Sequence, residues 1–185
     1  VGLTYLINVV PQPVLSKTIV HGDSEKLSAV REHLFAAPVF PVSPAFKFQS
    51  LCGPCQLPQG GTLTYFPLVH PGGSLGYRLD WPGHSLAYVT DTTASPDASY
   101  LEAIRGVDLL LHEAYFADDS NNFPTITGHS ALDSVAALAA VAKPRRLVIV
   151  HIDPTRDEEP PFDLIAARGA FSQIDIGRDD DEIDF

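Results

Sequence analysis

The sequence predicts an α/β fold with mixed sheets flanked by helices. Its first half reads as a series of strands, and its second half alternates strands with helices, which is the pattern of a mixed sheet with helices packed on it. The composition fits such a fold, since 45% of the 185 residues are hydrophobic and 19% are charged. We therefore expect one domain, or a large part of one, over residues 1–185.

The N-terminal third predicts one strand and one helix. Residues 17–20 form a short apolar strand that ends at the turn His21-Gly22-Asp23. Ser24 is expected to cap a helix that reaches about residue 35. Apolar side chains follow at helical spacing: Leu27, Val30, Leu34 and Phe35.

The middle of the chain predicts consecutive strands. Turns that contain Gly and Pro separate four segments, over residues 46–51, 61–69, 75–80 and 85–90. Trp81-Pro82-Gly83-His84 has the composition of a hairpin turn, so we expect the last two strands to pair with each other.

After residue 91 the pattern changes to an alternation of helices and strands. Helices are predicted over residues 97–105, 131–142 and 162–168, and strands over 107–111 and 147–150. A loop is expected over residues 116–128. Alternation of this kind places helices on the faces of a sheet.

The charge of the chain excludes one class of partner. The net charge is −11, with acidic residues concentrated at positions 157–159 and in a C-terminal tail, residues 178–185, which we expect to be solvated. Such a surface repels phosphate backbones, so the protein is not expected to hold long nucleic acid by charge alone. No run of residues approaches the roughly 18 apolar residues that a membrane span needs, and we expect no membrane partner.

Three predicted strands end at side chains that bind metals or move protons. Asp91 follows the strand over residues 85–90, His112-Glu113 follows the next strand, and His151 follows the last. Strand ends of α/β sheets converge on one edge, where active sites are commonly built. Imidazole and carboxylate groups suit zinc, manganese or iron. Each of these residues taken alone is explained as readily by a structural or surface role.

Four motifs taken together resemble the metallo-β-lactamase superfamily, in particular its ribonuclease Z-like phosphodiesterase branch. They are His70-Pro71-Gly72-Gly73-Ser74-Leu75-Gly76-Tyr77, Ala87-Tyr88-Val89-Thr90-Asp91-Thr92, the pair His112-Glu113-Ala114 and Gly128-His129-Ser130, and His151-Ile152-Asp153-Pro154. The resemblance covers nearly the whole chain and implies a four-layer αβ/βα sandwich with the site along one edge.

The resemblance also implies roles for individual residues. His70, Asp91 and His151 would be metal ligands, with Asp91 bridging two ions. Glu113 and His129 would assist proton transfer or hold a phosphate, and Asp91 would join them as a catalytic residue. The implied cofactor is Zn²⁺, two ions in the complete protein, with Mn²⁺ or Fe left open.

One signature of that family, His-x-His-x-Asp-His, does not occur in this sequence. In the family it precedes a segment that Gly2-Leu3-Thr4-Tyr5-Leu6 resembles, and the sequence contains no Met. We therefore expect a chain that lacks the first strands and the first metal motif of the domain. With three ligands remaining, we expect weak metal affinity and little or no turnover, because an activated water needs its ion held by about three protein ligands.

The expected function is hydrolysis of phosphodiesters by a metal-activated water. The substrate is either an RNA 3′ end or a smaller phosphodiester such as a cyclic nucleotide, and a thioester or lactone is a lesser alternative. A second hypothesis is a non-catalytic domain of the same fold that has lost its metal. We expect a cytoplasmic protein and leave a homodimer open.

Cys52-Gly53-Pro54-Cys55 has thioredoxin-type spacing, but the residues that follow do not predict the helix such a site needs. We expect an ordinary turn or an incidental disulfide.

Overall fold

The computed structural model describes residues 2–118, 123–156 and 160–185, which divide into two compact units, residues 1–53 and residues 54–185. Part of the loop predicted over 116–128 and the acidic residues 157–159 lie outside the described residues. Each unit has a hydrophobic core of its own.

The first unit consists of short elements. They are α1 (Gly2–Val9), α2 (Gln12–Leu15), β1 (Ile19–Gly22), α3 (Ser24–Ala29) with a π-helical turn over Val30–Leu34, and β2 (Lys47–Ser50). Strands β1 and β2 pair in parallel. Leu15, Phe35 and Phe46 form the buried centre of this unit.

The N-cap of α3 is one residue earlier than the sequence suggested. Asp23 has extended backbone angles, and its Oδ1 accepts hydrogen bonds from the amides of Glu25 (3.0 Å) and Lys26 (3.2 Å). The prediction of Ser24 as the cap is therefore wrong. A carboxylate satisfies two free amides and also carries the charge that the positive helix end favours.

The second unit is built on a seven-stranded mixed sheet. Its strands occur in chain order: β3 (Cys55–Leu57), β4 (Gly61–Leu68), β5 (Ser74–Trp81), β6 (His84–Val89), β7 (Leu109–Glu113), β8 (Arg146–Val150) and β9 (Ile174–Ile176). Strands β3 to β6 are antiparallel, whereas β6 to β9 are parallel. The predicted α/β class and mixed sheet are confirmed, and so is the hairpin turn between β5 and β6.

The described residues of the second unit form four α-helices: α4 (Leu101–Ile104), α5 (Phe123–Thr127), α6 (Leu132–Ala142) and α7 (Ile165–Ala170). The apolar side chains of α6 join those of the parallel strands in one core, with Leu110, Leu138 and Ile149 fully buried. Strands β3 and β9 and helix α5 were not predicted. They have three to five residues, too few to show a period.

The parallel half of the sheet brings three loops to one edge. In the register, Val89 of β6 lies beside His112 of β7, which lies beside Ile149 of β8. Because these strands run in the same direction, the residues after each of them emerge at the same edge. The edge therefore collects the residues that follow β6, β7 and β8.

Residues 178–185 contain no helix or strand. The acidic side chains of this tail are exposed, while Ile183 and Phe185 are partly buried. The Phe185 ring lies edge-on to the ring of His84, 5.8 Å between centroids. Neither Cys52 nor Cys55 forms a disulfide in the described part of the chain. Among the described residues, no helix has both the length and the apolar character needed to cross a bilayer.

Candidate active site

The sheet edge holds the five side chains that the sequence singled out. His70 follows β4, Asp91 follows β6, Glu113 ends β7, His129 follows α5 and His151 follows β8. Each lies at or just beyond the end of an element, so the rigid sheet fixes the position of its backbone.

Asp91 is the centre of the group. Its Oδ1 lies 2.8 Å from Nδ1 of His151. One donor atom each from His70, Asp91 and His129 all lie within 4.8 Å of one another. The His129 ring also lies 5.4 Å from the ring of His70 and 5.3 Å from that of His151. Asp91 thus contacts His151 and lies in one group of donor atoms with His70 and His129.

This donor set fits a divalent metal ion. Three imidazoles and one carboxylate are the ligand chemistry that zinc prefers. Donors bound to one zinc lie about 2.1 Å from the ion and about 3.4 Å from each other. The donor atoms of His70, Asp91 and His129 lie within 4.8 Å of one another. Each would therefore move by about an ångström to bind one ion. The Asp91 and His151 side chains are 39% and 42% exposed, so an ion can reach them.

His151 has an unusual backbone conformation. Its φ is +50°, in the left-handed region that costs an L-residue free energy. Such conformations are retained where the surrounding structure determines them, and they cluster at functional sites. The residue after β8 turns sharply here, and its imidazole bonds to Asp91.

Glu113 lies beneath the histidines and is completely buried. Its Oε1 accepts hydrogen bonds from the amides of Thr92 and Ser130, both 3.0 Å, and lies 3.3 Å from Nδ1 of His129. Its Oε2 is buried with no hydrogen-bond partner among the described residues. Burial raises the pKa of Glu113 to about 8, and burial lowers the pKa of His129. These opposite shifts favour a protonated Glu113 beside a neutral His129, which makes the pair a proton donor and a proton acceptor in contact.

His112 supports Glu113 from inside the core. Its Nδ1 lies 2.7 Å from the carbonyl oxygen of Glu113, and its Nε2 lies 3.0 Å from the hydroxyl of Tyr100. Burial lowers the pKa of His112 to about 4, so the ring is neutral. Neutral imidazole donates through Nδ1 to the carbonyl and accepts at Nε2 from the tyrosine.

Sequence reasoning assigned no role to two neighbours of the site, Tyr115 and Gly128. Tyr115 stacks on His129 with 5.0 Å between ring centroids, and its ring lies 5.9 Å from that of His151. Its position directly after His112-Glu113-Ala114 was the available indication. Gly128 has φ +78°, and a Cβ there would collide with Pro71 and lie 3.0 Å from Cδ2 of His70. This glycine lets the His129 loop pack against the His70 loop.

Comparison with known proteins decides the family. Residues 23–152 match the family model described as a beta-lactamase superfamily domain. The chain belongs to the beta-lactamase superfamily. The family predicted from the sequence is therefore confirmed, and the matched segment contains all five site residues.

Relatives of this superfamily member include ribonuclease Z enzymes. Ribonuclease Z of Salinibacter ruber is 34% identical over 140 residues, which are 75% of this chain and 40% of that protein. The chain thus spans less than half the length of this curated relative.

Solved structures agree on the fold. The metallo-beta-lactamase fold protein YhfI from Bacillus subtilis aligns with 96% of this chain and 68% of its own, with TM-score 0.72 and 18% identity. A diphosphatase of the PhnP family aligns with all of this chain and 66% of its own, with TM-score 0.70 and 22% identity.

Proposed function

We propose that this chain belongs to a metal-dependent hydrolase of phosphodiesters, with the reaction centred on Asp91. The observation that carries the proposal is the convergence of Asp91 with three imidazoles at the edge of the parallel strands. The names of two similar proteins support the reaction class, since one is a ribonuclease and the other a diphosphatase.

The residues divide into two groups by their contacts. His70, Asp91 and His151 would hold a Zn²⁺ ion, or Mn²⁺ or Fe in its place, and the second carboxylate oxygen of Asp91 would be available to another ion. When bound, a divalent cation at this edge supplies a Lewis acid that activates water and offsets phosphate charge. Glu113 and His129 form the proton-transfer pair, because they are in contact and have opposite pKa shifts.

The substrate class follows from charge. The chain has net charge −11, so a long polyanion gains little from the surface outside the cation site. A small phosphodiester, or the 3′ end of an RNA, presents only a few phosphates and can be held at the site itself. We expect a protein of the cytoplasm.

Metal binding and turnover of the 185-residue chain test this function. Zinc titration by calorimetry and hydrolysis of bis-p-nitrophenyl phosphate are measured for the chain, for Asp91→Asn and for Asp80→Asn. Asp80 is the matched control, since its side chain is 45% exposed against 39% for Asp91 and it pairs with Arg78 on β5. We expect weak zinc binding and slow hydrolysis that Asp91→Asn abolishes and Asp80→Asn preserves.

The second candidate is a non-catalytic domain of the same fold. The contact of 2.8 Å between Asp91 Oδ1 and His151 Nδ1 favours it, because the carboxylate already has an imidazole partner without an ion. Equal zinc affinity and equal hydrolysis in the chain and in Asp91→Asn would support this candidate and contradict the hydrolase. Zinc binding and hydrolysis that both depend on Asp91 would contradict this candidate.

A further inference from the structure

Thr92 joins the loop of one proposed ligand to the loop of another. Its side chain is completely buried, and it follows Asp91 directly. The Thr92 hydroxyl lies 3.2 Å from the carbonyl oxygen of Val69 and 3.2 Å from the Val69 amide nitrogen. It can therefore donate to the first and accept from the second. Val69 is the residue before His70, so one hydroxyl satisfies both polar backbone groups next to that imidazole.

The backbone of Thr92 extends the same connection to the other two loops. Its amide donates to Oε1 of Glu113 (3.0 Å), and its carbonyl accepts from the hydroxyl of Ser130 (2.7 Å). Ser130 follows His129 and donates its own amide to Glu113 (3.0 Å). Residues adjacent to His70, Asp91 and His129 are thus tied to one buried network.

The His70 loop needs such a tie. Gly72 and Gly73, which follow it, have φ of +81° and +77°, and glycine at these positions leaves the free loop with many accessible conformations. Besides the hydroxyl of Thr92, the Thr93 amide reaches the Val69 carbonyl, at 3.3 Å. The Val69 amide has the Thr92 hydroxyl as its hydrogen-bond acceptor. Removing the hydroxyl leaves this amide without that acceptor and weakens the link to Asp91.

We propose that Thr92 is a positioning residue that sets the affinity for a divalent cation, by holding His70 and Asp91 at the separation from which both reach one ion. Folding then orders the two loops before the ion binds, so the free energy of ion binding is not spent on ordering them. Residues that orient metal ligands through such contacts typically change metal affinity about 10- to 100-fold when mutated. This inference rests on the proposed metal site.

Cobalt titration of the chain tests it, because bound Co²⁺ reports its ligand geometry through visible absorption. The variants are Thr92→Val, which keeps the shape and removes the hydroxyl, and Thr92→Ser, which keeps the hydroxyl. Thr64→Val is the matched control, since the Thr64 hydroxyl donates to the Arg78 carbonyl in mid-sheet (3.5 Å). Unfolding curves of the metal-free proteins fix a temperature at which every variant is folded.

We expect Thr92→Val to weaken Co²⁺ binding by about 10-fold or more and to alter the spectrum. Thr92→Ser should stay within about threefold of the unmutated chain, and Thr64→Val should match it. Hydrogen exchange provides a second, metal-free measurement, in which the Val69 amide should exchange faster in Thr92→Val than in Thr92→Ser. If Thr92→Val does not fold, the pair Thr92→Ala and Thr92→Ser replaces it, since both lack the methyl group.

The outcomes separate this inference from the proposed function. Equal cobalt affinity and spectrum in the chain and in Thr92→Val, even with lower thermal stability, would show a purely structural threonine and overturn the inference alone. Absence of cobalt binding by the unmutated chain would overturn the metal site and the inference together.

Discussion

Both ends of the parallel strands β6 to β8 carry carboxylates, but the partners of these carboxylates differ, and the pKa shifts of Asp108 and Glu113 are opposite. At the amino-terminal end, Asp108 accepts hydrogen bonds from the amide (2.8 Å) and hydroxyl (3.1 Å) of Ser85 and lies 3.7 Å from Arg145. At the carboxyl-terminal end, Asp91 and Glu113 face histidines. Hydrogen bonds from Ser85 hold the pKa of Asp108 below its ordinary value, whereas burial raises the pKa of Glu113 to about 8.

The difference shows that a carboxylate alone does not make a site. A guanidinium is permanently charged and satisfies its partner, whereas an imidazole can lose its proton and become a metal ligand. The amino-terminal end is therefore closed by ion pairs, such as Arg146 with Asp175 at 2.9 Å. The carboxyl-terminal end keeps donors that can turn toward a cation. Four predictions test this contrast.

The largest effect is expected from truncation of the buried carboxylate. Glu113→Ala leaves the amides of Thr92 and Ser130 without an acceptor and opens a cavity, so the free energy of unfolding should fall by roughly 3 kcal/mol. Asp108→Ala, at the opposite end, should cost clearly less because water replaces its partners. Urea unfolding of both variants measures the difference, and equal losses would contradict the contrast.

The pH dependence of stability should come mainly from the same residue. The folded pKa of Glu113 is raised from 4.5 to about 8, so the folded state holds a proton that the unfolded state has released, and stability falls as pH rises through this window. The pKa of His112 is lowered from 6.5 to about 4, so this residue makes stability rise with pH below pH 6.5. Between pH 6.5 and 8 only Glu113 of these two residues affects the slope, and the free energy of unfolding should fall by about 2 kcal/mol.

Urea unfolding of the metal-free chain at several pH values between 6.5 and 8 measures this slope. Glu113→Gln cannot titrate, so its stability should be nearly level across the window. A slope that is the same in this variant would assign the pH dependence to other groups.

Substitution of one glycine at each end of the parallel strands tests how much a steric change at that end affects the metal site. Gly128→Ala strains a backbone at φ +78° and pushes a methyl group into Pro71, which displaces the His70 loop. Gly83→Ala, in the hairpin at the other end, strains a backbone at φ +95° but meets no atom within 4 Å. Each should lower stability by about 1–2 kcal/mol. Gly128→Ala alone should also weaken Co²⁺ binding, which titration of both variants checks.

The smallest effect is expected at the ion pairs of the amino-terminal end. Arg146 and Asp175 are 40% and 46% exposed, so Arg146→Met should change the free energy of unfolding by less than about 1 kcal/mol. Cobalt affinity should not change. A loss comparable to that of Glu113→Ala would mean that both ends depend on buried electrostatics.

Much of the fold was predictable because its strong patterns are local. The apolar spacing of α6, the turn at Gly83 and the apolar strand before His151 each identify an element within about ten residues of sequence. Strands β3 and β9 could not be found in this way, since three residues in a sheet owe their conformation to their neighbours. The Asp23 cap was missed because Ser24 is an equally good capping residue by composition.

The sequence predicted which residues form the site better than it predicted the contacts between them. Motifs identified His70, Asp91, Glu113, His129 and His151, and the structure gathers all five. Which of them touch depends on the packing of loops far apart in sequence, so His129 was not expected beside His70 and Asp91. Thr92 and Ser130 were missed for the same reason: their hydrogen bonds reach residues 17 to 38 positions away.

The left-handed backbone of His151 limits what can replace it. Glycine, asparagine and aspartate tolerate such angles better than other residues, and the last two carry oxygen donors. A single exchange to Asn or Asp at this position therefore changes three imidazoles and one carboxylate into two nitrogen and two oxygen donors, with little conformational penalty. Selectivity would then drift from zinc toward manganese or magnesium, the harder ions.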